Sequence, residues 1–122
     1  MIKRFHSNLF FANDLEKSTD FYAELGFDVS KSDGTIRIKL GDFTLAIMDE
    51  KTATIQKAVE SKPRGAGVFL YVEVDDADTQ HKLIRDNGIK STEPKGWPWG
   101  KREFVVTDPD GYHLVFYAPV KK

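Results

Sequence analysis

The stretch that decides the fold reads VVTDPDGYHLVFY and spans residues 105–117. It predicts a strand, a tight turn and a second strand, because β-branched and aromatic residues flank a DPDG turn on both sides. In that turn Pro109 fixes φ, Gly111 accepts a positive φ, and the aspartates can bond to nearby backbone amides. The alternation of the second strand then decides which side chains reach a pocket and which pack under helices.

The bulk properties are those of a small globular protein. The chain has 122 residues, a formal net charge of −1 and no cysteine. Interleaved charges and the lack of a basic run disfavour nucleic-acid and membrane partners. The lack of cysteine excludes disulfides, thiolate metal sites and cysteine nucleophiles. No apolar run approaches the roughly 20 residues that span a bilayer, and the N-terminus has no signal-peptide core, so we expect a cytoplasmic protein.

Hydrophobic periodicity predicts the order β-α-β-β-β for the first half of the chain. Asp14 is the expected N-cap of the helix and Gly26 its C′ residue. Residues 49–67 form a break between the halves, in which 52–60 could hold a short helix and 61–67 have linker composition. The predicted strands cover residues 5–12, a segment that begins at 27, and residues 35–40 and 43–48.

The second half repeats this order. The spacing from Asp14 to Gly26 equals the spacing from Asp76 to Gly88, so a single offset between the halves fits both helix ends. The last strands fit a larger offset, which aligns Leu45 with Leu114 and places an insertion near the WPWG loop at 97–100. Matched helix ends and a matched element order favour a duplicated module over coincidence. The predicted elements are strands at 68–74, 102–107 and 112–117 and a helix from 76 to 87.

Three segments carry a family resemblance. NDLEKSTDFY followed by LGF (13–27), VEVDDAD (72–78), and PWGKREF followed by DPDG (98–111) together resemble the vicinal oxygen chelate superfamily. This superfamily includes glyoxalase I, bleomycin resistance proteins and extradiol dioxygenases, and the third segment is closest to bleomycin-resistance-like members. The resemblance implies an α+β fold in which two tandem βαβββ modules form an incomplete barrel around a concave pocket. It also implies a homodimer, and a single domain over 1–122 with module one at about 1–50, a linker at about 51–66 and module two at about 67–122.

Metal enzymes of the superfamily take one ligand, usually His or Glu, from the first and the last strand of each module. The resemblance places these positions at Ser7, Ala46, Phe69 and Val115. None of these side chains is a normal ligand for Zn²⁺, Ni²⁺ or Fe²⁺, so we predict no metal and no cofactor. A shift of one residue in the first strand would bring His6 to a ligand position and turn every side chain of that strand to its other face.

Alternation along the strands predicts a largely apolar concave face with a few polar anchors, as is usual for a small-molecule site. Trp97 and Trp99 could stack on a planar ligand, or could cap the barrel or fill a dimer contact. The predicted ligand-binding residues are Phe11, Arg37, Met48, Phe69, Tyr71, Trp97, Trp99, Arg102, His113 and Tyr117, with Leu9, Lys39 and Glu73 on the same lining.

Other polar residues are expected to have structural roles. We expect Asp108 and Asp110 to form the turn. On the second helix, Ala77 and Leu83 should lie on the buried side with Ile84, while His81 should be exposed.

We favour a metal-free protein of the bleomycin-resistance-like type, which sequesters a partly aromatic ligand in a barrel or dimer-interface pocket and contributes to antibiotic resistance. No catalytic residue is assigned. The alternative is a metal-dependent lyase, isomerase or dioxygenase with relocated ligands such as His6 and His113. A third hypothesis is an interaction domain with a collapsed pocket. Because resistance proteins that bind cationic drugs tend to be distinctly acidic, a net charge of −1 leaves the ligand open.

Overall fold

The first half of the chain folds in the predicted order β-α-β-β-β. The computed structural model describes residues 1–52, 64–65 and 67–120, so the possible helix at 52–60 lies, beyond Thr52, outside the described residues. The elements are β1 (Ser7–Ala12), α1 (Leu15–Glu24), β2 (Val29–Ser32), β3 (Thr35–Leu40), β4 (Phe43–Asp49) and a 3₁₀ turn (Glu50–Thr52).

The second half repeats the order, with a very short strand where the tryptophan loop begins. Its elements are β5 (Phe69–Glu73), α2 (Ala77–Asp86), β6 (Lys95–Gly96), β7 (Lys101–Thr107) and β8 (His113–Pro119). Both helices begin with an aspartate N-cap. The Asp14 carboxylate accepts a hydrogen bond from the Lys17 amide at 3.1 Å, and the Asp76 carboxylate accepts one from the Thr79 amide at 3.3 Å. Each cap satisfies an amide that has no partner within the helix.

Each half forms an open four-stranded mixed sheet, in the orders β1-β4-β3-β2 and β5-β8-β7-β6. In the parallel pairs Ser7 lies beside Thr44, and Phe69 lies beside His113. Ser7 and Phe69 are equivalent positions under the offset that matches the two helices. Thr44 and His113 are equivalent positions under the larger offset that matches the last strands. The two parallel registers are therefore equivalent, as the repeat predicted. The α+β class and the paired βαβββ modules are confirmed.

The first strand begins at Ser7, later than the predicted start at residue 5. Phe5 precedes β1 and is 94% exposed, because pairing with β4 begins only at Ser7. Within β1 the predicted face is observed: Phe10 is buried beside Ile47 on the side of α1, and Phe11 lies on the other side beside Met48. The shift that would turn His6 to a ligand position therefore does not occur.

The buried side of α2 differs from the prediction. His81 is buried, with 6% exposure, whereas Leu83 is 47% exposed. The buried residues Ala77, His81 and Ile84 follow the i, i+4, i+7 spacing of a helix face that packs on a sheet. The His81 ring meets Phe104 of β7 edge-to-face, with 5.2 Å between centroids.

A short segment ahead of β5 packs against the DPDG turn. A Cβ on Gly65 would lie 2.5 Å from the Gly111 carbonyl oxygen, so no side chain fits there. Arg64 Nη1 lies 3.8 Å from Asp110 Oδ1, and the two side chains are only 5% and 8% exposed. Asp108 accepts from the amides of Asp110 and Tyr112, as a turn former should. Asp110 therefore joins a buried ion pair that the sequence did not predict.

The chain divides into two compact units, Met1–Lys62 and Pro63–Lys122. The grouping of both into one domain, with a linker at about 51–66, stays a prediction. None of the helices in the described part of the chain is long and apolar enough to cross a membrane.

Candidate functional site

One face of the second sheet brings together four of the predicted site residues, Phe69, Tyr71, His113 and Tyr117. Residues that pair across strands point to the same side of a sheet. His113 stands between Phe69 and Thr107, and Tyr117 stands between Glu73 and Glu103. The face opposite α2 thus carries, from three strands, Phe69, Tyr71, Glu73, Lys101, Glu103, Val105, Thr107, His113, Val115 and Tyr117.

The His113 imidazole is held by two contacts on this face. Its ring stacks on Phe69 with 5.0 Å between centroids and 19° between planes. Its Nδ1 lies 3.0 Å from the Thr107 hydroxyl oxygen. Because Nδ1 is engaged, Nε2 is the ring nitrogen that remains for a ligand.

Tyr117 is the centre of a polar and aromatic cluster. Its hydroxyl donates to Glu73 Oε1 at 3.3 Å. The Tyr71 ring meets it at 61° with 6.0 Å between centroids, and the Lys101 ammonium lies 4.6 Å from the centre of the Tyr117 ring. Removal of the phenol from water, followed by the charge of Glu73 and its hydrogen bond, raises the pKa of Tyr117 above the ordinary value.

Replacing Glu73 by glutamine should lower the pKa of the Tyr117 phenol. The amide removes the negative charge that opposes ionisation, while the desolvation of the phenol remains, so only part of the elevation should disappear. A ¹³C NMR titration of tyrosine Cζ, assigned with Tyr117→Phe, measures this value. A Tyr117 pKa that is the same in both proteins would contradict the assigned cause, and Asp86→Asn on α2 serves as the charge-matched control.

The two tryptophans form an offset parallel stack in the loop between β6 and β7. Their ring centroids lie 5.0 Å apart with 5° between planes, and the Lys95 ammonium lies 4.2 Å from the centre of the Trp97 ring. The Trp97 amide donates to the Lys101 carbonyl at 2.8 Å, which anchors the loop beside the Tyr117 cluster. Trp97 is half-buried, whereas Trp99 is 65% exposed and offers ring surface to solvent.

Arg102 lies apart from the other predicted ligand-binding residues of this unit. It alternates with Lys101 and Glu103 and so points to the face covered by α2. There its Nε and Nη2 donate to both Asp78 oxygens, at 2.8 and 3.1 Å. This hydrogen-bonded pairing raises the pKa of Arg102, against a smaller opposing effect of desolvation. Its role in ligand binding stays a prediction, and its guanidinium is already paired.

The predicted residues of the first unit also share one sheet face. Phe11 pairs with Met48 across β1 and β4, and Arg37 pairs with Ala46 across β3 and β4. Phe11 is 8% exposed and packs against Met48, while Arg37 is exposed. This face is therefore an apolar patch with a cation beside it, as the alternation predicted.

Comparison with known proteins identifies the family. A family model described as the Glyoxalase/Bleomycin resistance protein/Dioxygenase superfamily matches residues 4–116. The chain belongs to this superfamily. No curated protein matches the sequence significantly.

Several solved structures share the fold of this chain. TnmS3, an antibiotic-binding protein from Streptomyces sp. CB03234, is 27% identical with a TM-score of 0.75, over 97% of each chain. A glyoxalase/bleomycin resistance protein/dioxygenase from Nocardioides is 24% identical with a TM-score of 0.79, over 99% of this chain and 86% of that one. The bleomycin resistance determinant encoded on transposon Tn5 is 19% identical with a TM-score of 0.72, over 96% and 98%.

The residues present do not fit the metal of the superfamily's enzymes. At the four positions where the resemblance places metal ligands, Phe69 stacks on His113, Val115 is 2% exposed, and Ser7 and Ala46 provide no imidazole or carboxylate. Nowhere in 1–52, 64–65 and 67–120 do three His, Cys, Asp or Glu side chains gather closely enough to hold an ion. His6 is exposed and precedes β1.

Proposed function

We propose that this protein binds a small, partly aromatic molecule on the face of its second sheet opposite α2 and holds it without transforming it. The observation that carries the proposal is the Trp97–Trp99 stack, since Trp99 leaves ring surface open to a planar ligand. Phe69 and Tyr71, on the same sheet face as the Tyr117 cluster, are 55% and 56% exposed. A ligand that covers these exposed rings removes apolar surface from water, which favours binding.

The polar groups of the face support binding over catalysis. Thr107 and His113 lie within hydrogen-bonding distance, as a nucleophile and base would. Activation would also need a third group that orients the imidazole, and among the described residues His113 hydrogen-bonds only to Thr107. We therefore assign to His113 Nε2 the role of a hydrogen-bonding anchor for the ligand.

Two relatives support sequestration as the biological role. TnmS3 is an antibiotic-binding protein, and the Tn5 protein is a bleomycin resistance determinant. A binder of this kind protects a cell by lowering the free concentration of a toxic molecule, and it needs neither a metal nor a nucleophile. We infer the same role for this chain, with a homodimer as the expected assembly.

An NMR titration with quinoline, a neutral planar heterocycle, tests the proposal. We expect saturable shifts at the two indole N–H signals and at the amides of Phe69 and Tyr71, with quinoline recovered unchanged and binding insensitive to EDTA. The absence of saturable shifts would refute aromatic binding. Loss of binding after EDTA treatment, or conversion of the probe, would instead favour the metal-dependent enzyme.

A further inference from the structure

Tyr71, Glu73 and Tyr117 form a corner on the candidate binding face. Glu73 and Tyr117 are cross-strand partners, and Tyr71 lies two residues before Glu73 on the same side of β5. The two rings meet at 61° with centroids 6.0 Å apart, so they make two walls. The Tyr117 hydroxyl donates to Glu73 Oε1 at 3.3 Å and orients the carboxylate beside these walls.

The corner is open, and no ion pair among the described residues neutralises its negative charge. Tyr71 is 56% exposed and Glu73 is also exposed. The ion pairs in the described part of the chain leave Glu73 out, and its only side-chain hydrogen bond there is with the Tyr117 hydroxyl. A carboxylate beside two π-faces attracts a cation through both its charge and the ring quadrupoles.

The protein already places a cation on one of these rings. The Lys101 ammonium lies 4.6 Å from the centre of the Tyr117 ring, within the usual distance for a cation–π contact. Lys101 does not reach Glu73 as an ion-pair partner. It therefore shows that the ring can hold an ammonium group while the carboxylate remains available.

We propose that Tyr71, Glu73 and Tyr117 form a subsite for an alkylated ammonium group. This inference deepens the proposed function and rests on it, since it makes the ligand an aromatic molecule that bears a tertiary or quaternary amine. Alkyl groups on the nitrogen reduce its hydration and contact the rings directly, which favours such amines over a primary ammonium. One carboxylate suffices for one such charge, so the net charge of −1 for the whole chain is no obstacle.

Choline and 3,3-dimethylbutan-1-ol test the subsite, because they have the same shape and differ in the charge of the central atom. NMR titration should show choline bound about tenfold more tightly than the alcohol, with the largest shifts at residues 71, 73 and 117. Equal affinities, or the absence of saturable binding by either probe, would overturn the subsite.

Four variants assign the preference to the corner. Glu73→Gln and Tyr71→Leu should each reduce the choline preference to about threefold or less, whereas Asp86→Asn on α2 should retain it. Lys101→Met should increase the preference, because it removes a competing cation from the Tyr117 ring. A preference that survives Glu73→Gln, or that does not increase with Lys101→Met, would place choline elsewhere and overturn the inference.

The two proposals fail separately. Quinoline carries no ammonium group, so it reports aromatic binding whatever happens at Glu73. Quinoline binding without a choline preference would remove the ammonium subsite and leave the aromatic binder. A choline preference without quinoline binding would remove the aromatic binder and leave Tyr71, Glu73 and Tyr117 as a site for an alkylated ammonium group alone.

Discussion

Replacing Asp110 by alanine should lower the free energy of unfolding by about 3–5 kcal/mol, the usual cost of breaking a buried pair from one side. The change removes a carboxylate that is 8% exposed and lies 3.8 Å from the Arg64 guanidinium, whose side chain is 5% exposed. The backbone of the turn should persist, because Asp108 still accepts from the amides of residues 110 and 112. Urea unfolding followed by far-UV circular dichroism measures the change.

Asp86→Asn is the matched control for this prediction. Asp86 and Lys82 make a shorter contact of 2.9 Å, but their side chains are 63% and 79% exposed. Solvent screens an exposed pair, so the loss should stay within about 0.5 kcal/mol. If the two variants lost similar stability, burial would not be what makes the Arg64–Asp110 pair matter.

Replacing Trp99 by leucine should weaken quinoline binding about 10- to 100-fold, in line with what stacking on an aromatic side chain contributes. Trp99 is 65% exposed, so the variant should keep its fold while it loses the open ring surface. Isothermal titration calorimetry of wild type and variant gives the ratio directly.

Leu83→Ala tests whether any exposed apolar side chain would have the same effect. Leu83 is 47% exposed on α2, which covers the opposite face of the second sheet. Its removal should leave quinoline affinity unchanged within error. An affinity that is unchanged by Trp99→Leu would move the ligand away from the tryptophan loop.

The sequence predicted the sheet faces well because strand alternation is a local property. A side chain's parity along β5 or β8 is fixed once the strand exists, so Phe69, Tyr71, His113 and Tyr117 could be placed on one face. The two offsets between the halves predicted the repeated element order correctly for the same reason, because helix caps and turns are local sequence signals.

Side-chain contacts between distant elements could not be predicted in this way. Arg102 is predicted to bind the ligand, and no sequence signal indicated its hydrogen bonds to Asp78 of α2. Thr107 was missed as the partner of His113, although counting outward from the DPDG turn would have paired them. His81 is buried, contrary to the prediction, because its spacing from Ala77 and Ile84 places it on the face of α2 that packs on the sheet.

The tryptophan stack also equips the protein with a built-in optical reporter. The chain has two tryptophans, and both lie in that stack. Every photon of indole emission therefore originates at the candidate binding loop, with no background from elsewhere in the chain. A ligand that covers Trp99 should change the intensity or colour of that emission without any label, so unmodified protein can be screened against a chemical library by fluorescence alone.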